Sequence, residues 1–182
     1  MRVIGGIAKG QPLKSIPGKK TRPTTDRVKE SMFNLIQQHL HDRRILDLFA
    51  GSGALGIESL SRGAESCCFV DENRGSILTI RENLKKTKFH DHAAVIQMDY
   101  LLALDHLSTK KVEFDVIFLD PPYEREFVKS AVDEIISRDL LTDGGIIVVE
   151  QDKREQALEE GKGITLWKER TYGNTTLRIY TR

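Results

Sequence analysis

The chain has 182 residues, 39% of them hydrophobic and 30% charged, with a formal net charge of +1. A domain of this length buries roughly 70% of the surface of its unfolded chain, so one globular unit with a substantial core is expected. No apolar run approaches the ~20 residues needed to cross a bilayer, and no apolar stretch follows the early arginine as in a signal peptide, so a cytoplasmic rather than a secreted or membrane protein is expected.

The small net charge conceals an asymmetry, because residues 1 to 30 carry eight Lys or Arg against two acids. Val3, Ile4 and Ile7, then Gly10, then Leu13 and Ile16 read as a short hairpin. The irregular run Pro17-Gly18-Lys19-Lys20-Thr21-Arg22-Pro23 follows it. Lysines and arginines held on ordered backbone form an electrostatic footprint for phosphate chains, as in an arm that faces nucleic acid, and Lys19, Lys20, Arg22 and Arg27 are the residues expected to contact phosphates. Val28, Met32, Leu35, Ile36 and Leu40 then recur at helical spacing, with Thr24, Thr25 and Asp26 as cap candidates.

The stretch Arg44 to Gly56 organises the rest. Ile45, Leu46, Leu48 and Phe49 suit a strand buried on both faces, and Asp47 interrupts them. A carboxylate in such a strand is costly unless a cation or hydrogen-bond donors face it. Gly51 and Gly53 allow a tight turn and close approach of a ligand, and Ala54 to Arg62 reads as a helix ended by Gly63. Gly51-x-Gly53-x-x-Gly56 also matches the dinucleotide fingerprint, with Asp71 twenty residues after Gly51. A pyrophosphate has no use for Asp47, whereas an ammonium group does, so Asp47-x-Phe-x-Gly-x-Gly favours S-adenosylmethionine over a nicotinamide.

Ser66 to Val70 reads as the second strand, with Asp71 at its end as a ribose ligand and Asn73 as the cap of a helix through Ile77, Ile80 and Leu84. Adjacent Cys67 and Cys68 point to opposite faces and read as reduced, buried thiols. Ala93 to Met98 is a third strand closed by Asp99, whose side chain could accept from an adenine amino group. Val112 to Leu119 makes a strand ending in Asp120-Pro121-Pro122-Tyr123. Two prolines fix a turn without N–H donors, leaving the Asp120 carboxylate and the Pro121 carbonyl as acceptors beside the Tyr123 ring. A planar ligand with an amino group fits that arrangement.

Phe127 to Ile136 reads as a helix, Gly144-Gly145 leads into the strand Ile146 to Val149, and Glu155 to Glu160 reads as a short helix. Ile164 to Arg170 and Thr175 to Tyr180 form a closing hairpin through Tyr172-Gly173-Asn174. Histidines 39, 41, 90, 92 and 106 lack partners in a ligand pattern and read as surface residues, so no metal is expected. No repeat or linker divides the chain. Residues 1–182 form one domain in this reading, with 1–24 as a basic hairpin and loop and 25–182 as the catalytic core.

The set Asp47-Leu-Phe-Ala-Gly-Ser-Gly, Asp71, Asp99 and Asp120-Pro-Pro-Tyr resembles the class I S-adenosylmethionine-dependent methyltransferases that act on exocyclic amino nitrogens. Arg2-Val-Ile-Gly-Gly-Ile-Ala-Lys-Gly with Arg22-Pro-Thr-Thr-Asp-Arg-Val-Lys-Glu-Ser-Met-Phe-Asn resembles the RsmD family of bacterial 16S ribosomal RNA (guanine-N2) methyltransferases, over essentially the whole chain. The resemblance implies a Rossmann-like α/β fold with a seven-stranded, mostly parallel sheet whose last strand is reversed. It also implies ribosomal RNA as partner, within the small subunit or an assembly intermediate. Asp47, Phe49, Ala50, Gly51, Gly53, Asp71 and Asp99 would hold the cofactor, and Asp120 to Tyr123 the target base. Adenine-N6 DNA methylation, glutamine-N5 protein methylation and a non-catalytic RNA chaperone remain the alternatives.

Overall fold

The computed structural model describes residues 1–16, 26–121, 125–159, 161 and 163–182. Its centre is one seven-stranded sheet built from β1 (Arg44–Asp47), β2 (Ser66–Asp71), β3 (Ala93–Gln97), β4 (Phe114–Leu119), β5 (Leu141–Asp152), β6 (Thr165–Tyr172) and β7 (Thr175–Thr181). The order across the sheet is β3-β2-β1-β4-β5-β7-β6. The first five strands run parallel, and β7 runs antiparallel between β5 and β6. A two-residue turn at Gly173-Asn174 joins β6 to β7, with Gly173 at φ 61°, as hairpin twist requires.

Helices cover both faces, which is why the central strands are apolar at nearly every position. Alternate residues feed two separate cores. Ile45, Cys67, Phe69 and Phe118 pack with α1 (Asp26–Leu35), α2 (Ala54–Ser61) and α3 (Arg74–Thr87). Leu46, Cys68, Val70 and Ile117 pack with α4 (Tyr100–Thr109) and α5 (Arg125–Ser137) on the other face. Cys67 and Cys68 are therefore in different cores, both free. Burial pushes the Cys68 thiol up to about 12, and Cys67 higher than its ordinary value as well.

Three segments differ from their sequence reading. Helix α4 was not anticipated; it follows Asp99, whose side chain caps it. The stretch after β5 is not a helix, because residues 153–159 form a turn and irregular chain. Its polar groups bond across to β7 instead: Arg178 donates to the Glu155 carbonyl at 2.8 Å, and the Leu158 N–H donates to the Tyr180 hydroxyl at 3.0 Å. Those contacts replace the local ladder a helix would need. The third difference is α1, which ends at Leu35 and gives way to a 3-10 turn over Gln37–His39.

The N-terminal arm is a hairpin in outline, closed by one antiparallel bridge between Arg2 and Pro12. The Val3 N–H donates to the Gln11 carbonyl, the Gly10 N–H to Val3, and the Leu13 N–H to Met1. Its apolar side chains Val3 and Leu13 join the core beneath α1, α2 and α3. The bend lies against the end of α2, where the Ile7 N–H donates to the Ser61 carbonyl at 2.8 Å. Only glycine fits at Gly6. Its φ is 74°, and a Cβ would stand 1.7 Å from the Ser61 carbonyl oxygen.

Candidate active site

Strand order reverses between β1 and β4, which opens a crevice at the carboxyl ends of the parallel strands, the usual ligand site of such sheets. Asp47 closes β1 opposite Phe118 of β4, so Asp120 follows two residues beyond that pair. Asp71 ends β2 opposite Gln97 of β3, and Asp99 comes two residues after Gln97. Thus Asp47, Asp71, Asp99 and Asp120 all lie along one rim of the sheet, around the turn that carries Gly51 and Gly53.

Asp47 is 3% exposed, beneath that turn. Its Oδ2 accepts the Gly56 N–H from the first turn of α2 at 3.0 Å. One amide does not compensate a buried charge. Desolvation pushes the carboxyl up to about 7; the Gly56 bond opposes this, and the nearby Asp71 charge adds to it. Gly56 itself lets the helix lie close on the sheet, since a Cβ there would come 2.3 Å from the Phe69 ring.

The glycine turn is held from below by the second strand. Gly51 and Gly53 adopt φ of 57° and 77°, in the left-handed region that glycine enters without strain. The Gly51 N–H donates to Asp71 Oδ2 at 2.9 Å, while Asp71 Oδ1 accepts the Asn73 N–H at 2.8 Å. The Ala50 N–H donates to the Val70 carbonyl at 2.9 Å. Asp71 therefore braces the turn and holds the backbone of Asn73, whose own Oδ1 caps α3 by accepting the Gly75 and Ser76 N–H groups at 2.7 and 3.3 Å. Asp99 uses Oδ1 to accept the Leu101 N–H at 2.9 Å, a helix cap that the sequence reading had not assigned to it.

Phe49, in the turn two residues past β1, packs at 5.3 Å from the Tyr100 ring and 6.5 Å from Phe127. Tyr100 and Phe127 also meet at 5.7 Å, and the Tyr100 hydroxyl bonds the Ser130 hydroxyl at 3.2 Å. Three aromatic rings, from the turn after β1, from α4 and from α5, thus pack as one cluster. The sequence reading gave neither Tyr100 nor Phe127 a place in the site, naming Phe127 only as the start of a helix, although an aromatic just after Asp99 and another after the Pro-Pro turn were visible. Asp120 is exposed and Pro121 half-buried at the end of β4. Arg27 is exposed on α1. Lys19, Lys20, Arg22, Pro122 and Tyr123 lie outside the described residues. Among the described residues no group of three or more His, Cys, Asp or Glu could hold a metal ion, and no helix is long and apolar enough to cross a membrane.

The sheet order, the reversed β7 and the glycine turn facing acidic strand ends define the class I methyltransferase architecture. Within it, the chain belongs to the family described as Conserved hypothetical protein 95, whose model matches residues 1–181. The chain is 43% identical over 182 residues to YlbH of Bacillus subtilis, provisionally named an rRNA methyltransferase, covering all of this chain and 99% of that one. It is 33% identical to ribosomal RNA small subunit methyltransferase D of Haemophilus influenzae, over 99% of this chain and 93% of the relative. A solved Escherichia coli structure, yhhF, provisionally described as a methyltransferase, superposes with a TM-score of 0.89 at 30% identity, covering 100% and 97% of the two chains.

Proposed function

We propose that this chain is an S-adenosylmethionine-dependent methyltransferase that modifies the exocyclic N2 of a guanine in small-subunit (16S) ribosomal RNA, in the cytoplasm. The observation that carries the reading is the under-compensated Asp47 beneath a positive-φ glycine turn, in a chain whose relatives are named for ribosomal RNA methylation. Asp47, Asp71 and Asp99 accept from backbone N–H groups, so the rim offers acceptor oxygens to a ligand bearing an ammonium, hydroxyls and an amino group. Polyphosphate would be repelled by it.

The residues present fit that cofactor. Asp47 would lie on the side of its ammonium group, Asp71 by the ribose, and Asp99 by the adenine, with Phe49, Ala50, Gly51 and Gly53 lining the cradle. When bound, S-adenosylmethionine supplies an electrophilic methyl group on sulfonium. The chain's own task is to present a nucleophile, because a guanine amino lone pair is delocalised into its ring. The Asp120 carboxylate and the Pro121 carbonyl accept the two N–H groups, turn the lone pair outward and stabilise the positive charge that develops on nitrogen. Tyr123 stacks on the base; such stacking contributes roughly 1 to 3 kcal/mol. Holding the amino nitrogen in a fixed orientation toward the bound cofactor would supply much of the remaining rate.

The base must leave its stack to reach the crevice, which favours an unpaired nucleotide. Lys19, Lys20, Arg22 and Arg27 contact phosphates on the approaching strand. Residues 1–24 and 25–182 act as one unit in this reading, which the docking of residues 1–16 against α2 and α3 supports. Methyl transfer from labelled cofactor to small-subunit ribosomal RNA, duplex DNA and protein acceptors tests the proposal. Label is expected in RNA; label in DNA or protein alone, or in none of the three, overturns it.

A further inference from the structure

The arm meets the glycine turn through one buried amide. Asn83 is 0% exposed on α3. Its Oδ1 accepts the Lys14 N–H at 2.8 Å, and its Nδ2 donates to the Lys14 carbonyl at 3.1 Å and to the Ser52 carbonyl at 2.9 Å. Lys14 belongs to the arm, and Ser52 lies between Gly51 and Gly53. A carboxamide offers two N–H donors and an acceptor oxygen, and all three functions are used here between elements rather than within the helix.

Two further contacts flank this clamp. The Ser52 hydroxyl approaches Met1 Sδ at 3.9 Å, and Ile16 Cδ1 lies 3.9 Å from where a Cβ on Gly51 would stand. The Lys14 side chain also pairs with Glu82 on the same helix. The arm is thereby seated on the turn at Met1, Lys14 and Ile16, and the chain passes directly from Ile16 into the basic run containing Lys19, Lys20 and Arg22. An Asn in a helix interior is a poor helix former, and burying its amide is unfavourable unless every group is bonded. Leucine would serve packing alone. The tie is therefore what the amide provides.

We propose that Asn83 is a positioning residue that locks the glycine turn to the arm, so that RNA on the basic front end and cofactor in the crevice strengthen each other's binding. This rests on the proposed function. Phosphates that fix the arm fix the Lys14 peptide; the Asn83 amide then fixes the Ser52 peptide, and the turn is ordered before the cofactor arrives. The second ligand meets a turn whose ordering cost is already met. Linkage makes the effect reciprocal, with the same factor measured from either ligand.

The test is calorimetric titration of S-adenosylhomocysteine into the full chain, with and without saturating small-subunit ribosomal RNA transcript, for the parent, Asn83→Ala and Ile16→Ala. Coupling energies of this kind typically correspond to about 5-fold or more in affinity. The parent should show at least that tightening by RNA, and the same factor in RNA affinity on adding S-adenosylhomocysteine. In Asn83→Ala the factor should fall to about one while each ligand alone still binds. A purely structural amide would lower thermal stability and leave the factor intact, which overturns the inference. Ile16→Ala, which leaves the core untouched, should reduce the factor, and it decides the matter if Asn83→Ala does not fold: an unchanged factor there overturns the inference. A factor of one in the parent with both ligands bound overturns this inference alone. Absence of RNA binding overturns it together with the proposed function.

Discussion

The two carboxylates buried along α2 and the strand before it are treated in opposite ways. Glu58 is 0% exposed and fully surrounded: its oxygens accept from the Ile4 and Gly5 N–H groups at 2.8 and 2.7 Å, pair with Lys29 at 3.3 Å and with Arg62 at 2.8 Å. Lys29 in turn donates to the Arg2 carbonyl at 2.6 Å. Burial lowers the Lys29 ammonium from its ordinary value, and Glu58 opposes that lowering. Asp47, at the other end of the helix, has one amide and no cation among the described residues. A buried charge that the protein compensates itself is architecture, here the dock for the arm. One left short of a cation marks where a cationic ligand belongs.

The largest expected effect breaks the compensated side. Glu58→Ala strands Lys29 and unseats the arm, and removing one partner of a buried pair typically costs about 3 to 5 kcal/mol. Denaturant unfolding should show a loss of that order; a change under ~1 kcal/mol, the worth of an exposed pair, would place Glu58 with surface ion pairs instead.

Next in size is a carboxylate in neither buried category, the exposed Asp120. Asp120→Asn keeps shape and an acceptor oxygen but not the charge. Losing a preorganised electrostatic partner costs on the order of 10² to 10³ in turnover, so single-turnover methyl transfer should slow by that much with cofactor affinity unchanged. A parental rate would mean that the loop only positions the base.

A smaller effect tests the uncompensated side. Because the folded Asp47 carboxyl is raised to about 7 from 3.8, the folded protein holds a proton that the unfolded chain releases. Its contribution to stability is present below the unfolded value and is lost as pH climbs toward 7. Asp47→Asn should therefore raise the stability of the ligand-free protein at pH 8 by roughly 1 to 3 kcal/mol, after the cost of an unpaired amide, and by little at pH 4. Cofactor binding should respond with the opposite preference. The ammonium selects the ionised carboxylate, so S-adenosylhomocysteine affinity should rise between pH 5.5 and 7.5 in the parent and stay flatter in Asp47→Asn. Parallel pH profiles for the two proteins would remove Asp47 from the cofactor site.

The smallest effect is at the surface. Arg27→Gln should flatten the dependence of RNA affinity on salt by about one unit of log-log slope if it touches one phosphate, with S-adenosylhomocysteine affinity unchanged. An unaltered slope would take α1 out of the RNA path.

Much of this was legible in the chain because strand and turn carry strong local signals. Ile45 and Leu46 with Phe114 to Leu119 read as buried strands, although the first strand stops at Asp47 and Leu48 and Phe49 already belong to the turn, and Gly173-Asn174 read as a tight turn between alternating runs. Helix α4 was hidden because Asp99 was read as a ligand group, although the same carboxylate followed by Tyr-Leu-Leu-Ala-Leu is an N-cap and a run of good helix formers. The expected helix over Glu155 to Glu160 had suitable composition but lost its backbone groups to Arg178 and Tyr180, partners more than twenty residues away. Long-range compensation is also what concealed the Glu58 cluster. Nothing near Ile4 and Gly5 announces that their N–H groups will point at a glutamate in α2. Asn83 left a fainter trace, a polar residue on the same helix face as Ile80 and Leu84, where a purely packing position would be apolar.

The central claim is methyl transfer to one guanine of small-subunit ribosomal RNA, and the most direct measurement uses RNA from a strain lacking this protein. Small-subunit particles and protein-free RNA from that strain would be incubated with purified chain and cofactor labelled in the methyl group. Digestion and mass spectrometry then locate the label. The account predicts N2-methylguanine at a single position in 16S RNA, formed by the parent and nearly absent with Asp120→Asn. Label on another base, label only in protein, or no incorporation into either substrate would contradict it.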